Sequence, residues 1–109
     1  MERAKKWQFD ILQAIEHISE FMNEIQTFEE YSNDYKTQSA VERQLAIIGE
    51  AVNQLRKTDT ELNLTHADQI VGFRNWLVHA YDSIDNSIVW AILQDHLPRL
   101  KSEIESQID

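Results

Sequence analysis

Apolar residues recur every three or four positions along most of this chain, and no stretch sustains the two-residue alternation of a half-buried strand. From Glu2 to about Glu30, the residues Ala4, Trp7, Ile11, Ala14, Ile18, Phe21, Ile25 and Phe28 step by three and four without interruption. This regular seam predicts the first and longest helix, with Ile15 and Met22 widening its stripe. Other amphipathic segments follow to cover the seam, so it reads as the core of an intramolecular bundle rather than as an intermolecular coiled coil.

Polarity then rises through Glu29 to Gln38, where a first turn is expected. Ser39 and Glu42 have the spacing of a capping box, although the next helix could begin a few residues earlier, near Asp34. Val41, Leu45, Ile48, Val52 and Leu55 form the apolar face of that second helix, which should end near Lys57. Gly49 lies inside it at a cost of about 1 kcal/mol relative to alanine, an expense that suggests close approach of another helix. Glu50 is more commonly an ordinary solvated carboxylate, and otherwise a partner for a site cation.

Thr58 to Thr65 forms a polar connection, and Thr65 with Asp68 offers a cap for a third helix ending near Tyr81. Asp85 should cap a fourth, with Ile84 and Val89 spaced as a hydrophobic staple. Its buried face runs through Val89, Ile92, Leu93, Leu97, Leu100 and Ile104. Pro98 lacks a backbone donor and crowds the preceding turn, so it should kink or split this last helix. The expected fold is therefore all-α, a single domain over residues 1–109, an antiparallel bundle of four helices or five.

Composition supports this reading. Two glycines and one proline leave little turn chemistry, and the absence of cysteine removes disulfides and thiolate metal sites. The start of the chain is amphipathic rather than a signal core, and no apolar run approaches membrane-spanning length. A soluble, cytoplasmic protein is expected. The formal net charge of −9 opposes loose association with nucleic acid, because affinity for phosphate comes largely from Lys and Arg. A small positive site set in an acidic surface remains compatible with it.

The stretch from Phe73 to Tyr81 departs from scaffold composition. At about 100° per residue, Ile70, Phe73, Trp76, Leu77 and Ala80 fall on one apolar arc. Arg74, Asn75, His79 and Tyr81 share the other side, with only Val71 and Val78 among them. An arginine and a histidine on a helix are more often a salt-bridged surface pair, or a satisfied core histidine, than a catalytic pair. Their chemistry nevertheless suits one task. A guanidinium can grip a phosphate and stabilise its developing charge, an imidazole can move a proton near neutral pH, and Asn75 could orient the imidazole or donate to a phosphate oxygen. These groups suffice for metal-free RNA cleavage, with the 2′-hydroxyl as internal nucleophile.

Other chemistries find less support. His17, His66, His79 and His96 are scattered without metal-ligand spacing, no glycine-rich phosphate loop is present, and no serine or threonine is marked as a nucleophile. No metal or cofactor is expected.

Arg74, four residues, His79, one residue and Tyr81 together resemble the Arg-x4-His-x-Tyr motif of HEPN-domain ribonuclease toxins of the HepT type. The likeness extends over nearly the full chain: Ile47-Ile48-Gly49-Glu50-Ala51 resembles the family's second-helix motif, and Val89-Trp90 with Leu97-Pro98 its last helix. Many relatives approach the motif helix through a segment containing proline and tryptophan, whereas Thr65-His66-Ala67-Asp68-Gln69 stands here.

The resemblance implies an all-α homodimer whose two motifs face each other and form a composite RNA-cleaving cleft. Arg74 and His79 would be catalytic there and Asn75 supporting. It further implies the toxin of a type VII toxin-antitoxin system, silenced by a nucleotidyltransferase antitoxin that transfers AMP to Tyr81. For Tyr81 the plainer alternative is a helix-end aromatic packed at the interface. For the whole chain, the rival is a non-catalytic HEPN module that pairs with a nucleotidyltransferase and binds nucleotide or protein.

Overall fold

The computed structural model describes residues 2–58, 64–80 and 82–108. All regular structure among them is helical: α1 Glu2–Phe21, α2 Phe28–Ser32, α3 Tyr35–Arg56, α4 Ala67–His79, α5 Asn86–Ala91, a π-helical turn Ile92–His96, and α6 Leu97–Gln107. The architecture is the helical bundle expected from the apolar periodicity. Within it α1 and α3 form the main pair and α4 packs on the other side of α3. Both pairings are antiparallel. Along α1 and α3, His17 Nδ1 lies 3.4 Å from Gln44 Oε1, while Glu20 shares a surface pocket with Thr37. Along α3 and α4, Gly49 lies against Arg74 and Arg56 pairs with Asp68.

The apolar seam of α1 faces this core as expected, with Ile11, Ala14 and Ile18 buried, and Val41, Val52 and Leu55 meet it from α3. α1 is shorter than its seam. It stops at Phe21, and α3, at 22 residues, is the longest helix. The reason is a capping box further along. The Thr27 hydroxyl accepts from the Glu30 N–H at 3.1 Å, and Glu30 Oε1 accepts from the N–H groups of Gln26 and Thr27 at 2.6 and 3.2 Å. These bonds satisfy donors that a new helix would otherwise leave open. The chain therefore breaks at Met22 to Gln26, and Ile25 and Phe28 leave the seam.

The short helix α2 is fastened from α3. Buried Gln38 donates to the carbonyls of Tyr31 and Ser32 at 2.8 and 2.9 Å, closing the end of α2. Tyr31 is fully buried beneath Trp90, with ring centroids 6.0 Å apart. Helix α3 begins at the earlier of the two expected places: Asp34 caps it through the Thr37 N–H at 3.0 Å, and Ser39 and Glu42 lie inside the helix. Its C-terminal cap falls at Lys57, as expected.

The connection expected from Thr58 to Thr65 lies mostly outside the described residues. Thr65 does not cap α4. Its N–H and hydroxyl both donate to the carboxylate of Glu103 on α6, and Asp68 pairs with Arg56. His66 occupies the cap position without a side-chain bond. Tertiary partners have taken the two residues whose spacing suggested a local cap.

Asp85 caps α5 as expected, its Oδ1 accepting from the Ser87 N–H at 2.9 Å. Val89, four positions along, is fully buried, and Ile84 packs against the core. From there helical conformation continues to Gln107, and the irregularity expected at Pro98 takes the form of the widened turn just before it. The Leu97 N–H donates to the Ile92 carbonyl five residues back, and Pro98 sits in the first turn of α6, where a missing N–H costs little.

Candidate active site on α4

Of Arg74, Asn75 and His79, the residues singled out that lie on α4, Arg74 is the one the tertiary structure grips. The helix is held close to α3 because Gly49 has no side chain: a Cβ there would stand 2.2 Å from Arg74 Cβ and 2.7 Å from its Cγ. The absent side chain opens a groove across α3, in which the stem of Arg74 lies. Beyond it, the guanidinium reaches Glu50 on the next position of α3, with Nη2 3.3 Å from Oε1. Its Nη1 donates to Asn75 Oδ1 at 2.9 Å.

Glu50 is thus the partner of a site cation, the less common of its two readings. It is itself steadied by Gln54, whose Nε2 donates to Oε2 at 2.8 Å. One of the five guanidinium donors makes a hydrogen bond, to Asn75, while Glu50 is held as an ion pair, and the side chain is about one-third exposed. The remaining donors can receive a phosphate, with the plane of the fork set by Glu50 and Asn75.

Asn75 and His79 are exposed on the same helix, one turn apart. Asn75 turns its carbonyl oxygen toward Arg74, and among the described residues the His79 imidazole bonds to neither of them. His79 is the last residue of α4; the Ala80 N–H donates to the Trp76 carbonyl to close the helix. Tyr81 lies outside the described residues. One chain therefore assembles Arg74, Asn75 and Glu50, and presents His79 beside them on an open face that also exposes Val78.

Behind this face the apolar arc does part of its expected work, with Trp76 and Ala80 half-buried outside the core cluster. Leu77 is buried, while Ile70 and Phe73 pack against the core, and the Phe73 and Trp76 rings lie 5.3 Å apart. Among the described residues no group of three or more His, Asp or Glu could hold a metal ion. No helix described is long and apolar enough to cross a membrane.

Burial pushes the Tyr31 phenol well above its ordinary range, and the carboxylate of Glu42 adds to the shift. Burial also raises Glu42 itself. Asp34 and Asp85 are held below the usual carboxylate range by their hydrogen bonds from Thr37 and Ser87, respectively.

A bundle whose glycine groove seats an arginine beside a helix-end histidine agrees with what sequence comparison finds. The family described as Ribonuclease HepT-like matches residues 11–107. The chain is 37% identical to a protein of Thermococcus cleftensis named "Probable ribonuclease HepT", over 96% of each chain. It is 33% identical to "Putative RNase MJ1380" of Methanocaldococcus jannaschii, over 93% of each, and 30% identical to "Putative RNase TTE0752" of Caldanaerobacter subterraneus, over 96% of this chain and 94% of the other. No solved structure matches. The chain belongs to the HepT-like ribonuclease family.

Proposed function

We propose that this protein is a metal-independent endoribonuclease and the toxin of a type VII toxin-antitoxin system. The observation that carries the reading is the anchored guanidinium of Arg74, with donors to spare, on the same helix as exposed His79 in a chain of a ribonuclease family. Arg74 binds the scissile phosphate and stabilises the charge that builds on it. His79 moves the proton of the 2′-hydroxyl or that of the leaving oxygen. Asn75 keeps the guanidinium in plane.

Cleavage of this kind needs two proton transfers, and each motif has one histidine. A homodimer that brings two α4 faces together supplies both. The exposure of Asn75, Val78 and His79 on one face supports such pairing. It also concentrates two Arg74 and two His79 in one cleft, which offsets locally a net charge of −9 per chain.

Silencing follows from the same strip. In the sequence Tyr81 follows His79, the last residue of α4, by two positions. A nucleotidyltransferase antitoxin that adds AMP to the Tyr81 hydroxyl would place a phosphodiester within the reach of Arg74 and a nucleoside in the cleft.

The test is incubation of purified, unmodified protein with total RNA in EDTA, beside Arg74→Ala and His79→Ala, with analysis of fragment ends. Cleavage that survives chelation, leaves a 2′,3′-cyclic phosphate and disappears in both variants is the expected result. If folded, unmodified protein cuts nothing, or His79→Ala cuts as well as the parent, the catalytic reading fails and a non-catalytic HEPN module that binds nucleotide or protein takes its place.

A further inference from the structure

Helix α3 with its C-terminal cap Lys57 is cationic within an acidic chain. It holds four of the ten Lys and Arg residues, Lys36, Arg43, Arg56 and Lys57, but only two of the nineteen acids, Glu42 and Glu50, so its charge has the opposite sign to that of the whole. Lys36, Arg43, Glu50 and Lys57 follow one another at seven-residue intervals. Seven residues return a helix to within about 20° of its starting direction and advance it by about 10 Å. The four positions therefore form a single row along α3, about 30 Å long, and Lys36, Arg43 and Lys57 are exposed in it.

The one acid in the row is the carboxylate that Arg74 reaches from α4, Nη2 lying 3.3 Å from Glu50 Oε1, so it is matched by a cation with donors to spare. The other acid of the helix, Glu42, is half-buried about 100° around α3 from Arg43. Arg56 also points away from the row, to Asp68. Lys36 lies close enough to Asp34 to add to the lowering that Thr37 gives that carboxylate, so its charge is partly offset. Arg43 and Lys57 take part in none of the ion pairs among the described residues, which join Lys6 to Asp10, Arg56 to Asp68 and Arg74 to Glu50. Because α4 runs antiparallel to α3, His79 lies from Arg74 toward the Arg43 end of the row, and Lys57 lies the other way.

We propose that this row is the track along which single-stranded RNA lies, with Arg43 and Lys57 holding backbone phosphates on either side of the one gripped by Arg74. The inference rests on the reading of Arg74 as the phosphate-binding residue and extends that site in both directions along α3. Exposed cations about 10 Å apart suit an elongated polyanion rather than a small anion, which Arg74 alone would satisfy. One row fits one backbone, as in other grooves that follow a single strand. A net charge of −9 repels RNA from the surface as a whole, so α3 is the side from which a strand can approach the α4 face. Contacts to phosphate fix the register of the strand without reading its bases.

The test is fluorescence anisotropy of a labelled, unstructured RNA of about 12 nucleotides, titrated at several salt concentrations with full-length, unmodified protein carrying His79→Ala to remove the proton-transfer group. In that background Arg43→Gln and Lys57→Gln should each weaken binding roughly threefold and reduce the slope of log Kd against log salt by about 0.7, the value for one phosphate contact on a single strand. Lys101→Gln changes an exposed cation on α6, which shares a cavity with Leu45 and Ile48 on the opposite face of α3, and should leave the slope as it is. An unchanged slope in Arg43→Gln and Lys57→Gln, or an equal reduction in Lys101→Gln, would overturn the track while leaving the role of Arg74 intact. Tighter binding of polyglutamate than of the RNA would overturn it in favour of an acidic protein partner. If Arg74→Ala binds the RNA as tightly as the parent, the reading of Arg74 falls and the track falls with it. If the slopes change as expected but protein with His79 intact cuts no RNA, the track stands and the catalytic reading alone fails.

Discussion

The Cβ that Gly49 lacks would stand 2.2 Å from the Cβ of Arg74, so the residue that binds phosphate in the proposed reaction lies where a residue on another helix has no side chain. Gly49→Ala should accordingly behave unlike most glycine replacements inside helices. The gain in helix propensity of about 1 kcal/mol is outweighed, because the obstructing atoms are the root of Arg74 and cannot swing aside. A net destabilisation of about 1–3 kcal/mol is expected, the usual scale of overpacking. Urea titration measures it. RNA cleavage by the same variant should fall further than in Ile11→Ala, a core truncation on α1 that costs about 2–5 kcal/mol. Cleavage that merely tracks stability would contradict this placement of Arg74.

Glu50 holds one edge of the Arg74 guanidinium at 3.3 Å and at the same time competes with any phosphate for it. Glu50→Gln removes the competing charge. Because the pair is partly exposed, stability should change by less than about 1 kcal/mol. In cleavage assays KM should fall roughly threefold as the cleft becomes less negative. The kcat should fall by about tenfold, because the fork is no longer held in plane. Unchanged values for both constants would mean that Glu50 is a bystander.

Tyr31 is fully buried, and its hydroxyl has no hydrogen-bond partner among the described residues. An unsatisfied buried hydroxyl is a standing cost, so Tyr31→Phe should stabilise the fold by about 1 kcal/mol. Thermal melts of the two proteins test this directly. A loss of stability would reveal a partner for the hydroxyl, such as an internal water.

The acid limb of the stability curve should be set in part by two helix caps. Asp34 and Asp85 have folded pKa values below the ordinary 3.8, so each contributes stability that is present above 3.8 and lost as pH falls through its lower folded value. Glu42 acts in the opposite sense. Burial raises it above 4.5, so its contribution is present below that value and disappears as pH rises through the folded one. Denaturation of Asp34→Asn/Asp85→Asn at a series of acid pH values should show a shallower decline below pH 3.8 than the parent.

Much of the fold was legible because helix formation and apolar patterning act over short stretches of chain. The seam of Ile11, Ala14 and Ile18, the cap at Asp85 and the close approach at Gly49 all follow from local spacing or composition. The errors came where two local signals competed. The apolar period continued through Ile25 and Phe28, yet the chain turned because Thr27 and Glu30 could satisfy a new helix start. Thr65 and Asp68 had cap spacing, yet Glu103 and Arg56 claimed them from distant positions.

The site divides in the same way. That Arg74, Asn75 and His79 lie on one side of a helix was determined by sequence alone, since a regular helix fixes the angle between any two of its residues. Which of them touch was decided by tertiary structure. Asn75 turns to Arg74 instead of His79 because the guanidinium is already drawn to that edge by Glu50, 24 residues earlier in the sequence. The cavity lined by Ile70, Phe73, Ile92 and Leu97, between α4 and the C-terminal helical run, was likewise invisible in the sequence. Helical periodicity says which residues face inward, but the space left between two inward faces depends on how far apart the packed helices stand.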